Sequence, residues 1–157
     1  MTHSTARPNR WARNLLGAVA LVFAASPSFA EYIEVPATGS VAEVADRLEA
    51  AAQKAGATVF ARVDHASGAA AVDMELPDAT LVIFGNPMLG TPAMQQDVRA
   101  GVVLPLRVLV ADEDGKTMLI YQSVDAMFAD TDVDTDAEFA KKMTGALDKL
   151  TAAAAKE

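Results

Sequence analysis

The chemistry open to this chain starts from a single pair of residues, Asp64 and His65, at the end of a predicted strand. An adjacent carboxylate could orient the imidazole for acid–base work. Neighbouring residues on a strand point to opposite faces, however, which favours a histidine that bonds nearby backbone and fixes the loop. We therefore predict no catalytic residue here, and we expect Asp64 and His65 to line a ligand-binding cleft.

A second candidate is the glycine-rich segment 85–91, with the sequence Gly-Asn-Pro-Met-Leu-Gly-Thr. Its glycines have the spacing of a phosphate-binding loop, but Thr91 stands where such loops carry lysine, and Pro87 lacks an amide donor. The segment is therefore predicted to be a tight turn and not a nucleotide site. We expect four of its residues to line the same cleft as His65 and to bind a small ligand there: Gly85, Asn86, Gly90 and Thr91.

Methionines offer an alternative chemistry, because six of them follow residue 30 beside the one histidine. Thioether sulfur with one imidazole could hold copper as Cu(I), and a His/Met pair could ligate haem iron. Met118 and Met143 lie in regular apolar patterns and are predicted to be core residues. The candidate metal ligands are therefore one histidine and three loop methionines, namely His65, Met74, Met88 and Met94.

Four alternating aspartates, Asp130, Asp132, Asp134 and Asp136, resemble the start of a calcium-binding loop. Thr135 replaces the glycine that such a loop requires, and the twelfth position is Lys141 where a glutamate is needed. This pattern excludes a tight EF-hand site. It predicts a solvated acidic loop that places negative charge at the start of the last helix.

The first 30 residues have the pattern of a secretory signal peptide. Basic residues Arg7, Arg10 and Arg13 precede an apolar run from Leu15 to Ala25, and small residues end at Ala30. The run is too short to span a bilayer. We therefore expect cleavage near Ala30, no stable membrane insertion afterwards, and a periplasmic or secreted protein.

The amino-acid composition excludes further kinds of site and partner. The chain has no cysteine, which excludes disulfides, thiolate metal sites and thiol nucleophiles. Removal of residues 1–30 takes away three arginines and no acid, which leaves 10 basic and 21 acidic residues and a net charge of −11. Such a charge repels nucleic acid and anionic lipid, so neither is an expected partner.

The helices and strands that position these residues are predicted from the spacing of apolar residues and from the residues that start and end such elements. A capping box of Ser40 and Glu43 starts a helix that ends at Gly56, and a second box of Thr135 and Glu138 starts a closing helix over about 136–154. Between and before them the sequence predicts strands over 31–35, 58–63, 81–84, 102–110 and 116–121. Strand 58–63 should place Val59, Ala61 and Val63 on one face, and the continuous apolar strand 81–84 should be covered on both faces.

Strands in direct succession favour an antiparallel sheet. The predicted fold class is therefore α+β: one domain over 31–157, with an antiparallel sheet of about five strands and two long helices packed on one face.

Three runs of this chain resemble the domain of unknown function 302 family over about residues 33–128. They are Val-Phe-Ala-Arg-Val-Asp-His at 59–65, Leu-Val-Ile-Phe-Gly-Asn-Pro at 81–87 followed by Gly90-Thr91-Pro92, and Leu-Pro-Leu-Arg-Val-Leu-Val at 104–110. The resemblance implies a compact α+β domain of the TATA-binding-protein-like kind, commonly a homodimer, without an established activity. Met88 departs from the family pattern, in which a lysine often follows the Gly-Asn-Pro turn. If that lysine binds an anionic ligand in relatives, this protein is expected to have lost it.

These observations predict an exported accessory domain that binds a small molecule or a periplasmic protein and has no catalytic activity of its own. The alternative is a periplasmic haem- or copper-handling protein that uses His65 and the loop methionines.

Overall fold

The computed structural model describes residues 32–156, so the predicted signal peptide over 1–30 lies outside the described residues. The elements in chain order are β1 (Tyr32–Ala37), α1 (Val41–Lys54), β2 (Thr58–Asp64), α2 (His65–Ala70), β3 (Ala79–Gly85), α3 (Pro87–Gln96), α4 (Ala100–Val103), β4 (Leu106–Glu113), β5 (Lys116–Gln122), α5 (Val124–Phe128) and α6 (Glu138–Ala154). Within this part of the chain, no helix has the length and apolar content needed to cross a membrane.

The five strands form one sheet in the order β1-β5-β4-β3-β2, and all neighbouring strands are antiparallel. The two long helices, α1 and α6, pack against each other and against the sheet. They cover one face of it, because a single buried cluster joins their apolar stripes to alternate residues of the central strands. The predicted α+β fold class is therefore confirmed.

Helix α1 forms as the sequence predicts. The Ser40 hydroxyl accepts a hydrogen bond from the Glu43 amide at 3.3 Å, and the Glu43 carboxylate accepts one from the Ser40 amide at 2.8 Å. This reciprocal pair satisfies two amides that the first helical turn leaves unpaired. The helix ends before Gly56, whose φ of 79° lies in the left-handed region that favours glycine.

Strand β2 differs from its predicted pattern because it contains a β-bulge. Val59 pairs with Phe84 and Ala61 pairs with Ile83, which leaves Phe60 as the extra residue. The prediction that Val59, Ala61 and Val63 share a face is therefore wrong. Val59 lies on the helix-covered face, whereas Ala61 and Val63 lie on the opposite one.

The predicted strand 102–110 is wrong at its start. Residues up to Val103 form the short helix α4, in which the Leu104 amide donates to the Ala100 carbonyl at 3.0 Å. The strand begins at Leu106, after a cis peptide bond between Leu104 and Pro105. Apolar residues that suit a buried strand also suit a helical turn against the core, so the sequence pattern alone does not separate the two.

The second predicted capping box is also absent. Helix α6 begins at Glu138 after Ala137, with no side chain capping its first turn. Asp134 instead fixes the preceding loop: its carboxylate accepts from the Asp136 amide at 2.9 Å, and its own amide donates to the Gln96 side chain at 2.8 Å. Because the loop is anchored to α3 in this way, Thr135 does not occupy the cap position.

Candidate functional site

A cavity of about 230 Å³ lies at one end of the sheet, between helices α3, α4 and α6. Ends of three neighbouring strands, or the residues just beyond them, form its floor. The lining residues are Phe60, Gly85, Asn86, Pro87, Leu89, Gly90, Thr91, Met94, Gly101, Leu104, Pro105, Leu106 and Met143.

The start of α3 positions one wall of this cavity. The Asn86 side chain accepts a hydrogen bond from the Met88 amide at 2.9 Å and so caps the helix. Its amide nitrogen donates to the Gly56 carbonyl at 3.4 Å, which ties this cap to the turn after α1. Pro87 follows at the first helical position, where a missing amide is tolerated.

One glycine permits a close approach inside the cavity. A Cβ atom on Gly101 would lie 2.9 Å from the Met94 methyl group, which is closer than such carbons approach. A Cβ atom on Gly85 would lie 3.4 Å from the Pro105 Cβ and 3.5 Å from the Phe60 ring, which are ordinary contact distances. Gly101 therefore leaves room for Met94 in the apolar wall, and Gly85 faces Phe60 and Pro105.

The cavity is uncharged, since none of the described residues that line it is ionisable at neutral pH. The nearest cation in sequence, Arg107, points its guanidinium at the Val103 carbonyl, at 3.2 Å. Phe60 and Met94 are 57% and 41% exposed and stand at the rim. An apolar interior with an apolar rim suits a neutral ligand, because a buried unpaired charge is strongly unfavourable.

The carboxylate of Asp97, which is not among the lining residues, fixes the junction between α3 and α4. Asp97 accepts hydrogen bonds from the Arg99 amide at 2.9 Å, from the Arg99 Nε and from the Asp132 amide at 3.0 Å. The Arg99 side chain, followed by these two amides, holds the pKa of Asp97 well below its ordinary value. The carboxylate thereby links the α3–α4 wall to the loop that precedes α6.

We expect Asp97→Asn to lower the thermal unfolding midpoint by at least ~5 °C at neutral pH, because the substitution removes the charge-assisted pair with Arg99 and replaces one of the two acceptor oxygens by a donor. The folded-state pKa lies below the unfolded one, so this stabilisation is present above about pH 4 and is lost as the pH falls further. Melting curves between pH 7 and pH 2 check this. Asp130→Asn, which removes an exposed carboxylate, is the control; equal losses in both variants would contradict the prediction.

The structure separates the sequence-predicted site residues into two groups. Gly85, Asn86, Gly90 and Thr91 all line the cavity, as does Met94. Asp64 and His65 do not, because β2 runs antiparallel to β3 and pairs Thr58 with Gly85 but Asp64 with Thr80. His65 is therefore roughly 20 Å along the strand from the turn. The expected single cleft that joins His65 to segment 85–91 is wrong.

Asp64 has a local role at its own end of the strand. Its carboxylate caps α2 by accepting hydrogen bonds from the Ser67 amide at 2.9 Å and the Ser67 hydroxyl at 2.6 Å. The Ser67 hydroxyl, followed by the amide, keeps the pKa of Asp64 below its ordinary value. Asp64 therefore fixes the first turn of α2, and the hydrogen bonds that it accepts come from Ser67 and not from His65.

The candidate metal ligands also lie in two separate parts of the structure. Met74 lines a shallow surface pocket together with Ala66 and Ala70 of the helix that begins at His65. Met88 and Met94 belong to α3 at the opposite end of β3, and Met88 is 80% exposed. Among residues 32–156, no three histidine, cysteine or acidic side chains cluster as a metal site would require. The four residues do not form one coordination sphere.

Sequence reasoning missed several lining residues, among them Phe60, Leu104, Pro105 and Met143. They come from three separate parts of the chain and meet only after the sheet forms. Phe60 reaches the cavity from the bulged strand, and Met143 reaches it from α6, where the predicted apolar stripe had placed it in the core. It is 1% exposed.

Comparisons with known proteins agree with this fold. The family described as "Domain of unknown function DUF302" matches residues 33–150, which extends the similarity beyond residue 128 into α6. The solved structure of an uncharacterized conserved protein DUF302 from Bacillus stearothermophilus superposes with a TM-score of 0.64. The two share 16% identity, and the alignment covers 79% of this chain and 94% of the other.

Two curated relatives carry the name fluoride-specific ion channel FluC 1. The proteins from Brucella suis and Brucella abortus are each 46% identical to this chain over 83 residues, which is 53% of the chain. The matched part is 32% of the first relative and 30% of the second, so the chain spans about a third of their length.

Proposed function

This chain belongs to the DUF302 family, and we propose that it is an exported accessory domain that binds a small uncharged molecule and catalyses no reaction of its own. The observation that carries the proposal is the apolar cavity of about 230 Å³ at the end of the sheet. A concave apolar cavity with a few polar groups is the usual form of a small-molecule site. The polar groups here are Asn86 and Thr91.

The size and polarity of the cavity define a ligand class. A dry apolar cavity of about 150 Å³ is enough to take up benzene. The volume here fits a neutral molecule of roughly two fused rings, or an acyl chain of similar size. Phe60 offers a ring for stacking, and Met94 offers a flexible thioether that can adjust to the ligand.

A binding role without catalysis fits the absence of an acid–base pair in the cavity. The lining residues include no histidine, acid, lysine or arginine that could transfer a proton near neutral pH. Thr91 is the one hydroxyl in the lining, and a nucleophilic hydroxyl needs an adjacent base.

The accessory character of the domain is supported by its larger relatives. They are named as ion channels, and a pore must be built from segments that span the membrane. The chain spans only about a third of the length of these relatives, so we infer that it corresponds to one part of such proteins and not to a whole channel.

Haem or copper handling stays a prediction from the sequence. A site built on His65 would draw on Met74, which lines a surface pocket beside the short helix that begins at His65. Met94 lines the apolar cavity instead, so it would contact a small ligand there.

The proposed function is tested with naphthalene and with its charged relative 2-naphthoate. We expect the purified full chain to bind naphthalene and to bind the carboxylate at least ~10-fold more weakly, because no cation lines the cavity. Isothermal titration calorimetry measures both affinities.

A third probe, 2-naphthol, is the matched control, because it has nearly the shape of the carboxylate without its charge. Naphthol should bind about as well as naphthalene. Tighter binding of 2-naphthoate would contradict the neutral-ligand proposal, and no binding of any of the three would contradict the cavity as the site.

A further inference from the structure

Half of the lysines after residue 31 lie around one groove on the surface of α6. That part of the chain has six lysines, and three of them, Lys141, Lys142 and Lys149, line the groove together with one acid, Glu138. The other 20 of the 21 acidic residues lie elsewhere, with 7 of the 10 basic residues. This groove, which we call the lysine groove, is therefore a local cationic site on a strongly acidic protein.

The lysine groove has a floor of small and apolar residues. Gly145 opens its centre, because a Cβ atom there would meet nothing within 4 Å. Ala55 at the end of α1, Ala146 and Leu150 complete the floor, and the groove has a volume of about 460 Å³. A bound group would therefore bury an apolar side chain at the centre and place its charges at the lysines.

The charges of these lysines are open to a further anion. The four arginines after residue 31, by contrast, all donate hydrogen bonds to carbonyls or carboxylates of the chain itself. Lys149 forms no salt bridge with any described residue. Lys141 pairs with Asp136 at 3.2 Å and Lys142 pairs with Glu138 at 2.6 Å, but all four side chains are at least 60% exposed. Exposed pairs contribute little, so an incoming carboxylate can exchange with them or share their lysines.

The spacing of the lysines favours an extended chain that carries several negative charges. Lys141 and Lys149 are separated by about 12 Å along the axis of α6. The groove extends from Glu138 to Leu150, about 18 Å, which is the length of roughly five extended residues. A single carboxylate between the lysines would lie over the apolar floor, whereas acidic residues on either side of an apolar one can pair with lysines at both ends.

The acidic surface outside the lysine groove restricts which anions can bind. A long polyanion or a broad acidic surface would approach the remaining carboxylates and be repelled by them. A short extended segment contacts the groove alone, so it is attracted without that repulsion. The charge distribution therefore favours a short acidic segment.

The lysine groove and the apolar cavity lie on different sides of α6. Met143 lines the cavity, and Gly145 lies about 200° further around the helix. Binding at the groove therefore does not depend on the proposed small ligand.

We propose that the lysine groove is the docking site for a short acidic segment of a partner protein, in which acidic residues flank an apolar one. The apolar side chain packs over Gly145. The flanking carboxylates pair with Lys149 at one end and with Lys141 and Lys142 at the other.

Calorimetric titration of the purified full chain with a short capped peptide, acetyl-Glu-Asp-Leu-Glu-Asp-amide, tests the docking site. Its matched control replaces Glu by Gln and Asp by Asn. We expect the acidic peptide to bind at least ~10-fold more tightly than the neutral one, because only the former pairs with the lysines. The difference should shrink as the salt concentration rises from about 0.02 M to about 0.3 M, since the charges are exposed.

The face of the sheet opposite α1 and α6 provides a control position. Lys116 is exposed there, at the start of β5. Leu81, Ile83 and Met118 also lie on this face, half-buried and outside the buried core. The prediction that Met118 is a core residue is therefore wrong, and the described helices cover strand 81–84 on one face only.

Substitution of the lysines tests their role in docking. The double variant Lys141→Gln, Lys149→Gln keeps side chains of similar polarity and removes two charges, so it should weaken the acidic peptide at least ~10-fold. Lys116→Gln removes the same charge far from the groove, and it should change the affinity less than ~2-fold. Circular dichroism shows whether each variant is folded.

Gly145→Leu tests the apolar centre of the groove. The leucine side chain would occupy the space that the apolar residue of the peptide needs, so we expect at least ~10-fold weaker peptide binding by a folded protein. Equal binding of the acidic and neutral peptides, equal losses in Lys116→Gln and the double variant, or unchanged peptide affinity in Gly145→Leu would each overturn the proposal. Binding of decanedioate as tightly as the peptide would also overturn it, in favour of a small dianion.

Discussion

Phe84→Ala is expected to reduce the free energy of unfolding by about 3–5 kcal/mol, the cost of removing a buried aromatic ring and leaving a cavity. Phe84 is 1% exposed and lies on the helix-covered face of β3. Its neighbours across the strands are Val59 and Leu106. They belong to different strands and cannot both move in to fill the space. Urea denaturation followed by circular dichroism measures the loss.

Phe60→Ala is the matched control for this prediction. It deletes the same ring from the bulge of β2, where the side chain is 57% exposed. We expect its stability to stay within about 1 kcal/mol of the original, since exposed substitutions rarely change stability more. A loss for Phe84→Ala as small as the one expected for Phe60→Ala would contradict the prediction that Phe84 forms part of the core.

Residue pattern alone predicts the parts of this fold that depend on local chemistry. The Ser40–Glu43 box sets the start of α1, because both partners lie within one helical turn. The turn at 112–115 is also held by a local contact, in which the Asp112 carboxylate accepts a hydrogen bond from the Gly115 amide at 2.7 Å. Such contacts join residues close in sequence, so their spacing is sufficient to predict them.

Contacts between distant residues decide the parts that the pattern misses. Thr135 has the sequence of a helix cap, but Gln96 and Asp97 anchor the surrounding loop from α3 and its end. The bulge at Phe60 appears only in the pairing of β2 with β3. No local spacing in the sequence indicates the missing helix cap or the bulge, because each is determined by the strand or helix that packs against it.

The sequence predicted only part of the candidate site, because the rest depends on contacts between distant residues. Glycine and asparagine at 85–91 mark a turn that the structure places in the cavity wall. His65 follows the neighbouring strand, and its position relative to that turn depends on strand direction. An antiparallel pairing puts the two at opposite ends, which the residue types do not specify.

Gly90→Leu is expected to weaken naphthalene binding at least ~100-fold while leaving the protein folded. A Cβ atom on Gly90 would lie 3.7 Å from the nearest methyl group of Leu104, so the first carbon fits without displacement. The rest of the leucine side chain would occupy the cavity, whose volume is about 230 Å³. Gly90→Ala should weaken binding by a smaller factor, because it adds one carbon.

Gly145→Leu provides the matched control, because Gly145 is also a helical glycine and a Cβ atom there meets nothing within 4 Å. Both leucine variants gain helix propensity of up to about 1 kcal/mol, so neither should be less stable than the original. Loss of binding in Gly90→Leu alone would therefore arise from filling of the cavity and not from unfolding. Unchanged naphthalene affinity in a folded Gly90→Leu variant would place the ligand elsewhere and contradict the proposed site.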